Sequence, residues 1–106
     1  MDQPLEIDVT TAARLHEQGA LLLDVREPFE VEVCAVASSR HIPMRQIPES
    51  LADLPRGQPI LVLCHHGGRS LRVTQFLRAN GFDQVTNVAG GIDAWAERVD
   101  PSLARY

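Results

Sequence analysis

Residues 60–70 read ILVLCHHGGRS, so a run of four aliphatic residues ends at Cys64 and a polar loop with two glycines follows. The aliphatic run predicts a strand buried on both faces, as in parallel sheets. After the loop, Val73, Phe76 and Leu77 recur at helical spacing, which predicts a helix that Ser70 caps and that ends near residues 80–81. Cys64 is therefore expected at the junction between a buried strand and a helix.

Strand and helix patterns alternate on both sides of this segment. Strand patterns occupy residues 5–8, 20–25, 35–39 and 84–88. Helix patterns run from a predicted cap at Thr10 or Thr11 to about Gln18, from residue 27 with Pro28 in the first turn, from about Pro48, and over residues 92–98. This alternation predicts an α/β fold with a parallel sheet covered by helices on both faces. Ligands of such sheets bind beyond the carboxyl ends of the strands, where Cys64 lies.

The composition is that of a small globular protein. A chain of 106 residues with 44% hydrophobic and 23% charged residues is expected to form a single domain, residues 1–106. Its apolar stretches are far too short to cross a bilayer. The acidic start MDQPLEIDV has no basic region followed by an apolar one, so we expect no secretory signal and a cytoplasmic protein whose two cysteines need not pair.

The charge is unevenly distributed along the chain. A net charge of −4 argues against nucleic acid or an anionic membrane as the main partner. No Asp or Glu occurs between Leu54 and Phe82, and the same interval contains four arginines and two histidines. The cysteine loop is therefore expected to be positively charged.

The residue types of the loop suit a nucleophilic cysteine. Thiolates are the reactive form, and they are favoured at helix N-termini and near cationic groups. Backbone N–H groups of a glycine-rich turn can converge on an anion, and Gly67 and Gly68 allow the tight curvature that this requires. Arg69 can bind an oxyanion through two hydrogen bonds. We expect a substrate, or a reacted form of Cys64, that is negatively charged.

Two other interpretations of the loop are weaker. A strand-end cysteine is often just a small core residue, but the polar loop and helix that follow do not favour this. A zinc site formed by Cys64, His65 and His66 is also unfavoured, because adjacent residues rarely converge on one metal and no second ligand pair has metal-binding spacing. We therefore expect no metal, and the two histidines are either proton donors, substrate contacts or simply exposed polar groups.

Four segments together resemble a single-domain rhodanese, a sulfurtransferase: CHHGGRS, LLLDVREPFE, HIP and GF..V.NVAGGIDAW. The resemblance implies a small α/β domain with a five-stranded parallel sheet. It also implies that Cys64 is the catalytic residue. Substrate binding would fall to His65, His66, Gly67, Gly68, Arg69 and Ser70. Asp24 and Arg26 match residues that support the site, although a purely structural ion pair is an equal alternative.

The reaction implied by the resemblance is a double displacement without cofactor or metal. Cys64 takes the outer sulfur of thiosulfate or a related donor, and a thiol, cyanide or a protein cysteine then accepts it. One alternative is a sulfur-carrier or regulatory module that docks a partner. Another is a cysteine-dependent phosphatase or arsenate reductase, but those enzymes have five residues between cysteine and arginine, and only four separate Cys64 from Arg69.

Several residues fall outside this core pattern. Residues 40–45 read RHIPMR where many relatives have glycines on both sides of the HIP segment, so we expect a different loop course and different acceptor contacts. Cys34 matches no catalytic position and is predicted to be packed, with a redox partner of Cys64 as the alternative. Trp95 is predicted to lie in the core, and Gly90–Gly91 to form a turn.

Overall fold

A five-stranded, fully parallel sheet forms the centre of the molecule in a computed structural model that describes residues 4–106. Residues 1–3, the start of the acidic N-terminal stretch MDQPLEIDV, lie outside the described residues. The strands are β1 (Glu6–Ile7), β2 (Leu21–Asp24), β3 (Arg40–His41), β4 (Ile60–Leu63) and β5 (Val85–Val88). Their order across the sheet is β1-β5-β4-β2-β3, which places β4 in the middle.

Helices cover both faces of the sheet, as the sequence predicts. They are α1 (Val9–Glu17), α2 (Pro28–Val33), α3 (Gly68–Ala79) and α4 (Gly91–Arg98), with short 3₁₀ turns at Met44–Gln46 and Pro48–Asp53. Along β4 the side chains alternate: Leu61 and Leu63 pack in one cluster with α1 and α4, and Ile60 and Val62 pack in the other with α3. No helix among residues 4–106 is long and apolar enough to span a membrane.

The parallel register brings three strand ends together. Asp24 at the end of β2 pairs with Leu63 of β4, and Val62 of β4 pairs with Asn87 of β5. The residues that follow these strands therefore lie side by side at one edge of the sheet, which is where parallel sheets bind ligands. Cys64 is the first residue beyond the central strand.

The strand predicted over residues 35–39 is wrong. The structure has a turn there, with Ser38 at a φ of 66° and the Ser39 amide donating to the Val36 carbonyl at 3.2 Å. Ser39 Oγ donates to the same carbonyl at 2.8 Å, so the serines favour a turn over the backbone hydrogen bonding of a sheet. The strand next to β2 begins only at Arg40.

Both predicted helix caps are also wrong. Asp8 caps α1, because its Oδ1 accepts a 2.8 Å hydrogen bond from the amide of Thr11 while its own backbone is extended. Helix α3 begins at Gly68, after Gly67 in a left-handed conformation, so Ser70 lies within its first turn. The hydroxyl of Ser70 is consequently free to bond elsewhere, and it points to Cys64.

Candidate active site

Cys64 lies at the base of the loop between β4 and α3, with 1% of its surface exposed. Its Sγ accepts a hydrogen bond from the backbone N–H of Gly67 at 3.1 Å and another from the hydroxyl of Ser70 at 3.2 Å. Both donors come from the loop and the first turn of α3. Donors aimed at a sulfur atom stabilise a thiolate, or a negatively charged group built on that sulfur.

Gly67 gives the loop its curvature. Its φ of +108° lies in the left-handed region that favours glycine, and its carbonyl accepts hydrogen bonds from the amide of Leu71 and from Nδ2 of the buried Asn87, both at 3.1 Å. Gly68 has no such requirement, because a Cβ there would meet no described heavy atom within 4 Å. The expectation that both glycines are needed for the backbone therefore holds for Gly67 alone.

The start of α4 forms one wall of the loop. The amide of Ile92 donates to the Cys64 carbonyl at 2.8 Å, and the amide of Asp93 donates to the His65 carbonyl at 3.1 Å. Gly91 makes this approach possible, because a Cβ there would lie 2.5 Å from the Cys64 oxygen and 2.4 Å from the His65 oxygen. The sequence indicates a turn at Gly90–Gly91 but not that the turn packs on the cysteine loop.

Arg69 is paired with Glu30, a site residue that no pattern in the sequence indicates. The two terminal nitrogens of Arg69 donate to the two carboxylate oxygens of Glu30 at 2.6 and 2.8 Å. Glu30 is 5% exposed and also accepts from the amide of Glu27 at 3.0 Å. The hydrogen bonds from Arg69 lower the pKa of Glu30 to about 2, and the same pairing raises the pKa of Arg69.

The loop is less positive than its sequence neighbourhood suggests. Glu30 neutralises Arg69, and the carboxylate of Asp93 lies 3.9 Å from Nδ1 of His66. Both carboxylates come from outside the interval without acidic residues. The expected positive loop is therefore partly wrong, because the fold supplies compensating charges from distant segments.

Asp24 and Arg26 form a buried ion pair beside the loop. Arg26 is 0% exposed, and its Nη2 lies 2.7 Å from Oδ2 of Asp24. Arg26 also donates hydrogen bonds to the carbonyls of Glu30, at 3.3 Å, and Cys34, at 2.8 Å, and to the hydroxyl of Tyr106, at 2.9 Å. Burial opposes the charge, but the hydrogen bonds that Arg26 donates to Asp24 and Tyr106 together raise its pKa. This geometry anchors α2 to the end of β2, which supports the structural interpretation of the pair.

The two loop histidines differ in environment. The rings of His65 and His66 stack with centroids 3.9 Å apart, and on its other side His65 stacks on Tyr106 at 3.8 Å. Burial, and the neighbouring His66, lower the pKa of His65, which favours a neutral ring. His66 is exposed. Within residues 4–106, no group of three or more His, Cys, Asp or Glu side chains is arranged to hold a metal ion.

A cavity of 160 Å³ adjoins the loop. It is lined by Val25, Glu27, Met44, Arg45 and Arg69. Met44 and Arg45 belong to the segment that departs from the family pattern, and Arg45 forms an ion pair with Glu27, another residue of the lining. This segment therefore supplies part of the cavity lining, whereas the described hydrogen bonds to Sγ of Cys64 come from Gly67 and Ser70.

Cys34 and Cys64 are both free thiols. Cys64 belongs to the core cluster on the α3 side of the sheet, whereas the partly buried Cys34 packs against the cluster on the opposite side. Its Sγ lies 4.0 Å from Nη1 of Arg26. This placement agrees with the predicted packed cysteine.

The chain belongs to the rhodanese-like domain family, whose pattern matches residues 9–98. The cysteine loop, the Glu30–Arg69 pair and the start of α4 all lie within this range.

Similar proteins agree with this assignment. Thiosulfate sulfurtransferase GlpE of Vibrio cholerae is 34% identical over 90% of this chain and 91% of its own length. A rhodanese-related protein from Thermoplasma volcanium, whose crystal structure is known, is 32% identical, with a TM-score of 0.83 over 91% of this chain and 94% of its own. The chloroplastic rhodanese-like/PpiC domain-containing protein 12 of Arabidopsis thaliana is 40% identical over 82% of this chain. This chain spans only 30% of the length of that protein.

Proposed function

We propose that the protein is a sulfurtransferase that takes sulfane sulfur from thiosulfate or a related donor and transfers it to a thiol, to cyanide or to a protein cysteine. The proposal depends mainly on one observation: Sγ of Cys64 receives two hydrogen bonds, from Gly67 N–H and Ser70 Oγ, at the N-terminus of α3. The resemblance to named sulfurtransferases of similar length supports the same activity.

The first half-reaction transfers one sulfur atom from the donor to Cys64. The thiolate of Cys64 attacks the outer sulfur of thiosulfate, a new S–S bond forms, and the S–S bond of thiosulfate breaks. Sulfite leaves with the electron pair of that bond. The negative charge then resides on the terminal sulfur of a Cys64 persulfide, where the loop donors and the N-terminus of α3 stabilise it.

The second half-reaction transfers this sulfur atom from Cys64 to the acceptor. A nucleophilic acceptor such as cyanide attacks the terminal sulfur, the persulfide S–S bond breaks, and the Cys64 thiolate is regenerated. No electrons are gained or lost by the protein over the cycle, so the chemistry needs no redox cofactor. The 160 Å³ cavity beside Arg69 is the proposed approach for both donor and acceptor.

Arg69 is the proposed contact for the oxyanion end of the donor. Although its two terminal nitrogens each donate to Glu30, a guanidinium has five N–H donors, and the remaining ones can face the cavity. The side chain is 34% exposed. Glu30 would then hold the arginine in a fixed orientation, which reduces the entropy lost when the donor binds.

Thiocyanate formation by paired cysteine variants tests the proposal. Cys64→Ser should abolish thiosulfate-dependent sulfur transfer to cyanide, and the matched Cys34→Ser should retain most of it. Substantial activity in Cys64→Ser would refute the assignment. Loss of activity in Cys34→Ser, with folding unchanged, would make Cys34 a participant.

We also propose that the protein acts in the cytoplasm. Two free thiols suit a reducing compartment. Fractionation of cells that produce the natural protein, followed by detection in the soluble and membrane fractions, tests this location.

A further inference from the structure

Tyr106 lies outside residues 9–98, the part of the chain that the family pattern covers, yet it contacts the candidate active site. Its ring stacks on the imidazole of His65 with the centroids 3.8 Å apart and the planes within 7° of parallel. His65 follows Cys64 directly in the loop. Because the family match ends at residue 98, membership of the family assigns no role to Tyr106.

The hydroxyl of Tyr106 joins two charged groups behind the loop. It accepts a 2.9 Å hydrogen bond from Nη1 of Arg26 and donates a 2.8 Å hydrogen bond to Oε2 of Glu30. Oε2 is also the oxygen that receives the second hydrogen bond from Arg69. The phenol thus lies between the buried Arg26–Asp24 pair and the Glu30–Arg69 pair.

We propose that Tyr106 is a positioning residue of the cysteine loop, whose ring fixes His65 and whose hydroxyl fixes Glu30 and, through it, Arg69. The two parts of the side chain have separate consequences. The ring restrains the backbone next to Cys64, and the hydroxyl restrains the arginine proposed to bind the donor. The kinetic effects expected of Tyr106 variants depend on the proposed sulfur transfer, but the restraint of the loop by Tyr106 can be tested without that activity.

Among the described contacts, Oε2 of Glu30 accepts hydrogen bonds only from the hydroxyl of Tyr106 and from Arg69. Its removal leaves the carboxylate with one anchor fewer, and the carboxylate and arginine can then move together. Removal of the ring exposes one face of His65, whose other face is covered by His66. Since aromatic contacts and hydrogen bonds to charged groups are each modest, the loop is expected to loosen without unfolding.

The position of Tyr106 in solution can be read from its ionisation. Tyr106 remains 40% exposed, but its partial burial and the hydrogen bond to Glu30 raise its pKa to about 12, compared with about 10 for a free tyrosine. Tyr106 is the sole tyrosine of the chain, so phenolate absorbance reports on it alone. At about pH 10.5 the native protein should show little phenolate and the urea-unfolded protein should show mostly phenolate. Equal absorbance in the two states would contradict the contacts with His65, Arg26 and Glu30 on which the inference depends.

Kinetics of two variants separate the ring from the hydroxyl. Tyr106→Phe keeps the stack on His65, so it should raise the KM for thiosulfate about fivefold and change kcat by less than about twofold. Tyr106→Leu loses both contacts, so it should also lower kcat about tenfold. Leu15→Ala, in α1 and away from the loop, is the control for loss of packing alone.

Alkylation of Cys64 by iodoacetamide provides a readout independent of sulfur transfer. Because Cys64 is 1% exposed, a looser loop should make its alkylation at least about threefold faster in Tyr106→Leu, and Leu15→Ala should match the wild type. Unchanged alkylation together with unchanged kinetic constants in Tyr106→Leu would overturn the inference. The inference would also be overturned if Leu15→Ala, at an equal loss of stability, changed the alkylation rate and the kinetic constants as much as Tyr106→Leu does. If the wild type transfers no sulfur but the alkylation rates still differ as stated, the proposed function fails and the positioning role stands.

Discussion

Arg69 and Glu30, 39 residues apart in the chain, share two hydrogen bonds of 2.6 and 2.8 Å between a guanidinium and a buried carboxylate. The pair joins the first turn of α3 to α2 and so fixes one side of the cysteine loop. A guanidinium held in this way is oriented before any donor arrives. The pair therefore connects the stability of the loop with the proposed recognition of the donor.

Replacement of the arginine should affect one half-reaction more than the other. Arg69→Ala is expected to reduce kcat/KM for thiosulfate by about 10- to 150-fold, the loss of about 1.5–3 kcal/mol for a charge-assisted contact. Transfer from a preformed persulfide to cyanide should change much less, because the donor's oxyanion has already left. Stopped-flow measurement of the two half-reactions checks this.

Two further variants complete the test of Arg69. Arg72→Ala, one turn further along α3, is the matched control and should behave as the wild type. The double variant Glu30→Gln/Arg69→Ala removes the unpaired carboxylate that the single variant leaves behind. If the double variant recovers activity, or if both half-reactions suffer equally, Arg69 shapes the loop and does not bind the donor.

Glu30 should make the protein sensitive to acid. Its pKa in the folded protein is about 2, below the ordinary value of 4.5, because Arg69 donates to it. A lowered pKa stabilises the folded state at every pH above the ordinary pKa of the carboxyl group. This contribution is lost as the pH falls from 4.5 toward 2. Urea unfolding at about pH 7 and about pH 3 should show a smaller acid-induced loss in Glu30→Gln than in the wild type.

The exposed Glu32, on the same helix, supplies the control for this measurement. Glu32→Gln should retain the full acid sensitivity of the wild type. At about pH 7, Glu30→Gln should be less stable than Glu32→Gln by about 1.5–3 kcal/mol. Identical acid profiles for the two variants would show that the Glu30–Arg69 pair does not form in solution.

The adjacent loop glycines should differ in their tolerance of a side chain. Gly67→Ala puts a Cβ at a φ of +108° and 3.2 Å from the amide nitrogen of Gly90, so it should cost about 1–3 kcal/mol of stability. Gly68→Ala meets no described atom within 4 Å and should be neutral or stabilising by up to about 1 kcal/mol. Chemical denaturation of both variants decides this, and equal stabilities would mean that the left-handed turn at Gly67 is not maintained.

The protein should not hydrolyse aryl phosphates. Four residues separate Cys64 from Arg69, one fewer than cysteine phosphatases have, and Arg69 is already paired with Glu30. A phosphoryl group needs donors at about 2.7–3.1 Å from each of three oxygens, which requires a wider ring than one around a single sulfur atom. Insertion of one glycine between Gly68 and Arg69 should abolish sulfur transfer. Robust phosphatase activity in the unmodified protein would favour the rival class of enzyme.

Local patterns in the sequence are sufficient to predict four of the five strands, the main helices and the position of Cys64. Apolar runs identify the doubly buried strands β2 and β4, and the parallel arrangement then places the residue after β4 at the ligand-binding edge. The edge strand β3 was misplaced, because a strand of two residues paired on one side has little pattern of its own and the serines before it form a turn.

The contacts that complete the site could not be predicted, because they join residues distant in the chain. Glu30 resembles any other acidic residue of a short helix until the fold brings it to Arg69. Asn87 lies within a strand pattern, and its amide reaches the carbonyl of Gly67 only because β5 is adjacent to β4. Tyr106 likewise has no sequence signal, since its contacts with Arg26 and Glu30 span 80 and 76 residues.

The central claim is that Cys64 carries sulfur as a persulfide, and mass spectrometry of the thiosulfate-treated protein tests it most directly. We predict a gain of about 32 Da, one sulfur atom, located on the peptide that contains Cys64 and removed by cyanide. Cys34→Ser should show the same gain, and Cys64→Ser should show none. Absence of the adduct from the wild type, or its location on Cys34, would contradict the proposed mechanism.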